Sequence, residues 1–221
     1  MATQTAPTTY PQLRDTRGPR SAWYTALFIG VPVAWIVVAL VHPMGGSDVY
    51  ESLRDKANLW MGVHFAQLIL SLGLAVALWV TVRGRTNVAA TVTRVAIPVY
   101  LVFFAAFDSV TGIASGLAVR HANSIAGPAQ DGAASTAEYL VTNHITADLS
   151  PLWAIASLAL LVAIAGTAMT LKAAGAAPLV WGTVLVGVLT TMHAGVPAAL
   201  GLAALAVGLT LASRDGTVTR S

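Results

Sequence analysis

VAIPVYLVFFAAFDSVTGIASGLAV, residues 95–119, reads as a single membrane-crossing helix with one charged side chain, Asp108, near its middle. Burying a carboxylate in hydrocarbon costs at least about 2.5 kcal/mol, so such a residue faces a bundle interior or a polar cavity. Its neighbours extend the polar character: Asp108, Thr111 and Ser115 fall at i, i+3 and i+7, on one face of a helix. Gly112 and Gly116 form a GxxxG pair on an adjacent face, which lets a neighbouring helix approach closely.

The rest of the chain has the same composition. Of 221 residues, 56% are hydrophobic and 10% charged, with a mean hydropathy of +0.73, whereas a soluble domain carries roughly 25% charged residues. The expected fold is all-α, a polytopic bundle of six transmembrane helices. Spans are expected at about 22–41 (kinked at Pro32), 59–82, 95–118, 151–171 (opened by Ser150 and Pro151), 177–193 and 198–213. The last two are separated because residues 177–213 as one helix would run about 55 Å, too long for a hydrocarbon core about 30 Å thick. The break is expected at Ala194-Gly195-Val196-Pro197. Residues 1–20 read as a disordered tail, 21–213 as the transmembrane domain and 214–221 as a second tail. No apolar stretch precedes Trp23, so no cleavable signal is expected.

Lys and Arg set the orientation. With the N-terminus cytoplasmic, nine basic residues (Arg14, Arg17, Arg20, Arg83, Arg85, Arg94, Lys172, Arg214, Arg220) fall inside and three (Arg54, Lys56, Arg120) outside. That asymmetry puts both termini in the cytoplasm. It also accounts for the basic pI of about 9.6 without nucleic acid, since the basic residues follow the membrane. Trp60 and Trp153 then fall at the outer interface, Trp23 and Trp79 at the inner one. Of the outer loops, 43–58 holds a capping box at Asp48-Val49-Tyr50-Glu51. The loop 120–149 starts with a flexible AGPAQDGAAS stretch, followed by a second capping box at Ser135-Thr136-Ala137-Glu138.

Trp60, His64, Gln67 and Ser71 form a stripe on the second span. From the outer end, Asp108 lies near 15 Å, between Gln67 at about 12 Å and Ser71 at about 18 Å; His64, at about 7–8 Å, is level with Thr111 and Ser115. Facing one another, the two stripes would satisfy each other's polar groups and enclose a channel opening outward. The topology also places His42, His121, His144 and His193 on the outer side. His121, beside Arg120, reads as a surface residue, and Phe103, Phe104 and Phe107 as lipid-facing or packing residues. The chain has no cysteine, which excludes disulfides, thiolate nucleophiles, iron–sulfur clusters and Cys-based zinc sites. It has no phosphate-cradling loop and no HExxH or GxSxG motif.

The sequence His42-Pro43, then Trp60-x-x-x-His64, then Phe107-Asp108-Ser109-Val110-Thr111-Gly112 resembles a loose group of small multi-pass membrane proteins of unassigned function from high-GC bacteria. In physical design the chain is also similar to membrane-embedded terpene cyclases and sterol isomerases, which implies acid–base chemistry on a lipophilic substrate. Under that expectation Asp108, His64 and Gln67 are catalytic, and Trp60, Phe104, Thr111, Ser115 and His42 bind a terpenoid-like substrate, with no cofactor. A second reading is a redox protein holding haem b or a divalent metal ion through His42, His64, His144 and His193. A third is a small proton-coupled transporter, and a fourth an accessory subunit whose polar stripe only joins helices. A homo-oligomer through Gly112 and Gly116 is compatible with each.

Overall fold

The computed structural model describes residues 20–43, 48–146 and 150–218. The expected N-terminal tail, apart from Arg20, and the last three residues lie outside them. The described residues form helices and connecting turns, with no strand among them. Eight helices follow in order: α1 Ala22–Val41, α2 Val49–Leu53, α3 Ala57–Val82, α4 Val88–Ala122, α5 Pro128–Thr146, α6 Ser150–Ala173, α7 Pro178–Met192 and α8 Gly195–Arg214. Five of them (α1, α3, α4, α6 and α8) are long and apolar enough to cross a membrane. The protein is therefore multi-pass, with a lipid bilayer as its surroundings.

α7 is shorter and apolar, and its last six residues, Gly187–Met192, are wound as two turns of 3-10 helix. The greater rise of that winding stretches the segment to about 25 Å. Packing joins α1 to α3, α3 to α4, α4 to α6, α6 to α7, α7 to α8, and α8 back to α1, a closed ring of six. Apolar side chains from around the ring form one core that includes Trp35, Leu74, Leu78, Ile164, Leu202 and Leu205. Ile69, Val102, Leu158 and Leu179 point outward, where acyl chains replace water. α2 and α5 cover one end of the ring over a smaller cluster of Val49, Leu53, Trp60, Val119, Ala137 and Val141.

Local chemistry sets the helix ends. Asp48 accepts from Glu51 N–H at 2.9 Å and opens α2, as the first capping box predicts. Asn87 does the same for α4 through Ala90 N–H at 2.8 Å. α6 stops at Gly175, whose φ of 82° suits only glycine. There Ala176 N–H returns to Leu171 O and Gly175 N–H to Lys172 O, both at 3.0 Å, closing a Schellman turn.

Three expectations about the elements need correction. α4 runs from Val88 to Ala122, beyond the expected 95–118, because its two ends remain helical outside the apolar window. It is also not uniformly α: a π-helical stretch, Asp108–Ala114, begins at the acidic residue. The second outer loop is almost entirely helix. α5 opens at Pro128, where a missing N–H costs nothing, and it runs through the stretch expected to be flexible. Ser135-Thr136-Ala137-Glu138 therefore lies inside a helix, and Glu138 caps a different one: its carboxylate accepts Val49 N–H at 2.8 Å, across 89 residues. Finally, Trp60 is buried, not placed in an interfacial belt; Trp23, Trp79 and Trp153 are the exposed ones.

Candidate metal centre

Three histidines converge near the covered end of the ring. His42 ends α1 because the residue before a proline is pushed out of helical geometry; its φ and ψ are −59° and 118°. Its Nδ1–H donates to Pro43 O at 2.8 Å. His64 lies on α3, and its Nδ1–H donates to Trp60 O, one turn earlier, at 2.7 Å. A carbonyl only accepts, so in both rings the proton sits on Nδ1 and the Nε2 lone pair is presented to the interior. His193 joins α7 to α8. Ala194 N–H bonds Met192 O at 2.8 Å, making His193 the centre of a γ-turn with φ 67° and ψ −47°. It is the one non-glycine residue with positive φ among the described residues. This is a strained conformation that persists only where the surroundings enforce it.

One ligand nitrogen from each of these histidines lies within 4.8 Å of the other two. Three points so spaced share a centre no more than about 2.8 Å from each, so movements under about 1 Å would bring all three to the 2.0–2.1 Å of a metal–imidazole bond. The ring centroids of His42 and His64 are 5.0 Å apart, and those of His42 and His193 5.4 Å. Trp60 packs on His64 at 4.5 Å, and Phe104 and Phe107 stand 6.0 and 5.5 Å from His193. His64 is buried, while His42 and His193 are half-buried. His64 is thus the innermost of the three, and the free Nε2 of His42 is buried as well. Burial holds the His42 imidazole below its ordinary pKa, partly offset by the bond to Pro43 O, and so favours the neutral, ligating form.

Asp108 completes the wall. Its Oδ1 is 3.9 Å from His64 Nε2, too far for a hydrogen bond. The carboxyl group is fully buried and neither oxygen has a hydrogen-bond partner. Gln67, one turn below His64, is also fully buried with neither side-chain polar atom bonded. The two predicted stripes do meet, but they satisfy each other only where Trp60 Nε1–H donates to Ser115 Oγ. The Thr111 hydroxyl donates to Phe107 O at 2.7 Å, Ser71 to Leu68 O at 2.8 Å, and Ser115 to the carbonyls of Thr111 and Gly112. In each case the short side chain finds the nearer carbonyl of its own helix.

The register is close to the expected one: Gly112, between Thr111 and Ser115, packs on His64, and Gly116 on Met61. His64 lies opposite Asp108 and Gly112, and Trp60 Nε1–H reaches Gly112 O at 2.7 Å and Ser115 Oγ at 3.0 Å. Gly112 and Gly116 are not free for a second copy. A Cβ on Gly112 would lie 2.0 Å from His64 Cδ2, and one on Gly116 2.4 Å from Met61 Cγ. The glycine face is spent within the chain.

Of the residues expected to bind substrate, Trp60, Phe104 and His42 border the histidine group, whereas Thr111 and Ser115 are tied to backbone. Phe104 also lines a narrow crevice with Trp35, Tyr100, Trp153, Thr190 and His193. Phe104 and Phe107 are buried, the packing alternative of the two expected. His121 is exposed, as expected. His144 belongs to α5, and the placement of its side chain lies outside the described residues. Sequence reasoning did not anticipate the γ-turn at His193; the Met192-His193-Ala194-Gly195 junction, a break between two apolar runs with an imidazole at its corner, was the available signal. No protein-family model, no curated protein and no solved structure matches this chain.

Proposed function

We propose that this protein binds one transition-metal ion near the outer face of a bacterial inner membrane, through His42, His64 and His193. The supporting observation is the approach of three imidazole nitrogens to within 4.8 Å from three separate segments of the ring. Two of these rings have Nδ1 tied to backbone, the arrangement that fixes tautomer and direction in metal-binding histidines. The strain at His193 adds to this, since positive φ at a bulky residue marks a side chain aimed for a purpose. A metal ion suits the space better than haem. Axial ligation needs a slot for the porphyrin between opposed imidazoles, and here Trp60 and Gly112 pack directly on His64.

In the same reading the chain crosses six times, α7 included, with both termini in the cytoplasm. The Arg85 guanidinium donates to Thr217 O, which brings the α3–α4 turn and the end of α8 to the same face. That proximity agrees with the Lys and Arg distribution along the sequence.

A second reading, acid–base catalysis on a lipophilic substrate of terpenoid type, is favoured by the unpartnered Asp108 carboxyl beside His64. It leaves the placement of His42 and His193 without a purpose, and the metal reading is preferred for that reason. Metal analysis of detergent-purified protein, followed by titration with Zn2+, Cu2+ and Co2+, tests it. One equivalent is expected in the wild type, and loss of binding in each of His42→Ala, His64→Ala and His193→Ala. Wild-type protein that takes up none of the three ions at micromolar concentration would overturn it.

A further inference from the structure

We infer that Asp108 is the fourth protein ligand of this ion, closing a three-imidazole, one-carboxylate cage that selects divalent cations over monovalent copper. The inference rests on the assignment of His42, His64 and His193 as metal ligands. Its first support is geometric: Asp108 Oδ1 stands 3.9 Å from His64 Nε2, outside the three nitrogens that lie within 4.8 Å of one another, so the carboxyl group would close onto the ion as it enters. Its distance from His64 is longer than a hydrogen bond and slightly longer than the separation of two donors on one ion, which is about 3.3 Å for tetrahedral bonds near 2.0 Å.

Electrostatics provides the second support. A carboxyl group with no exposed surface and no hydrogen-bond partner is costly in hydrocarbon, and so is a doubly charged ion held by neutral imidazoles alone. Bringing the two together relieves both costs, since the carboxylate halves the charge of the filled site. Thr111 and Ser115 are occupied by backbone carbonyls, and Gln67, the other unpartnered side chain beside His64, brings no negative charge.

Backbone geometry is the third. The π-helical stretch of α4 begins at Asp108. Such insertions are rare, concentrate at functional sites, and change the direction in which the following side chains point.

The cage defines the ligand class. Imidazole and carboxylate are borderline and hard donors that suit Zn2+, Co2+, Ni2+ or Cu2+, whereas Cu+ is drawn to thiolate and thioether sulfur. With four protein ligands the coordination sphere of a tetrahedral ion is full, as in structural zinc sites and unlike catalytic ones, which keep an open position. The ion would join α1, α3, α4 and the α7–α8 corner across the ring, so its arrival would be felt by the whole outer half of the bundle.

Co2+ substitution tests this in the full chain. Wild-type protein is expected to show the visible bands of tetrahedral Co2+, unchanged by azide. Asp108→Asn keeps the volume and should bind Co2+ more than about a hundredfold more weakly, beyond the 10–100-fold loss typical of an outer-sphere partner. Its residual complex should respond to azide through the vacated position. Asp108→Cys gives an independent readout: the chain has no native cysteine, so a thiolate-to-cobalt charge-transfer band in the near ultraviolet appears only if residue 108 reaches the ion. Wild-type-like affinity and azide response in Asp108→Asn, with no such band in Asp108→Cys, would overturn the role of Asp108 and leave the three-histidine site standing. Failure of the wild type to bind Co2+ at all would remove both.

Discussion

At the scale of single residues, the site depends on two backbone facts that no side-chain motif announces. Gly112 is the seat of His64: any β-carbon there meets the imidazole at 2.0 Å. Gly112→Ala should therefore destabilise the fold by about 1–3 kcal/mol, as overpacking does. It should also turn His64 away and abolish metal uptake, both readable by thermal unfolding and metal titration of one preparation. His193 is the complementary case. Its γ-turn holds an L-residue at φ 67°, at a cost of about 1–3 kcal/mol. His193→Gly and His193→Ala both remove the ligand, so comparing them in the presence of chelator isolates the backbone. The glycine variant is expected to be the more stable by about 1 kcal/mol, and equal or reversed stabilities would show that the turn is unstrained. Asp108, His64 and His42 were legible from the sequence, since polar residues stand out in apolar helices. Their partners were not. Hydroxyls choose between a facing helix and their own backbone, and at Thr111 and Ser115 the nearer carbonyl won.

At the scale of elements, the apolar runs located every helix of the ring to within a few residues, except that α4 extends well past its apolar window at its N-terminal end. The π turn that starts at Asp108 could not be read from periodicity. The outer helices were only half legible. Asp48 and Glu51 form their capping pair, but Glu138, read as part of another, caps α2 through Val49 N–H. This contact fastens α5 onto α2 over the smaller cluster that includes Trp60. Glu138→Ala leaves a part-buried N–H without an acceptor, at a cost of about 1–2 kcal/mol. Amide exchange across residues 49–53 should speed up roughly tenfold, while Glu138→Gln, which still offers an oxygen, should stay near the wild-type rate. Unchanged exchange in the alanine variant would mean that the satellite core alone holds α2 in place.

At the scale of the whole molecule, five helices satisfy the length and apolarity of a membrane crossing and α7 falls short of it, so the number of crossings turns on α7 alone. If α7 crosses, α8 returns the chain to the side of the α3–α4 turn; if α7 only dips in and out, α8 ends on the opposite side. The bond from Arg85 to Thr217 favours the first arrangement, because it brings the two ends together. Lys172 over the Trp181 ring at 5.1 Å joins the α6–α7 turn at that level. The absence of native cysteine makes the question directly measurable. Single substitutions at exposed sites, Thr86→Cys, Asp215→Cys and Asp131→Cys, can each be challenged with a membrane-impermeant maleimide on intact and on permeabilised spheroplasts. Asp131→Cys is expected to react on intact spheroplasts, and Thr86→Cys and Asp215→Cys only after permeabilisation. Reaction of Asp215→Cys on intact spheroplasts, with Thr86→Cys still protected, would make α7 a re-entrant segment. The chain would then end outside, with His193 at the cytoplasmic start of α8, and access to the metal site from outside would have to be abandoned.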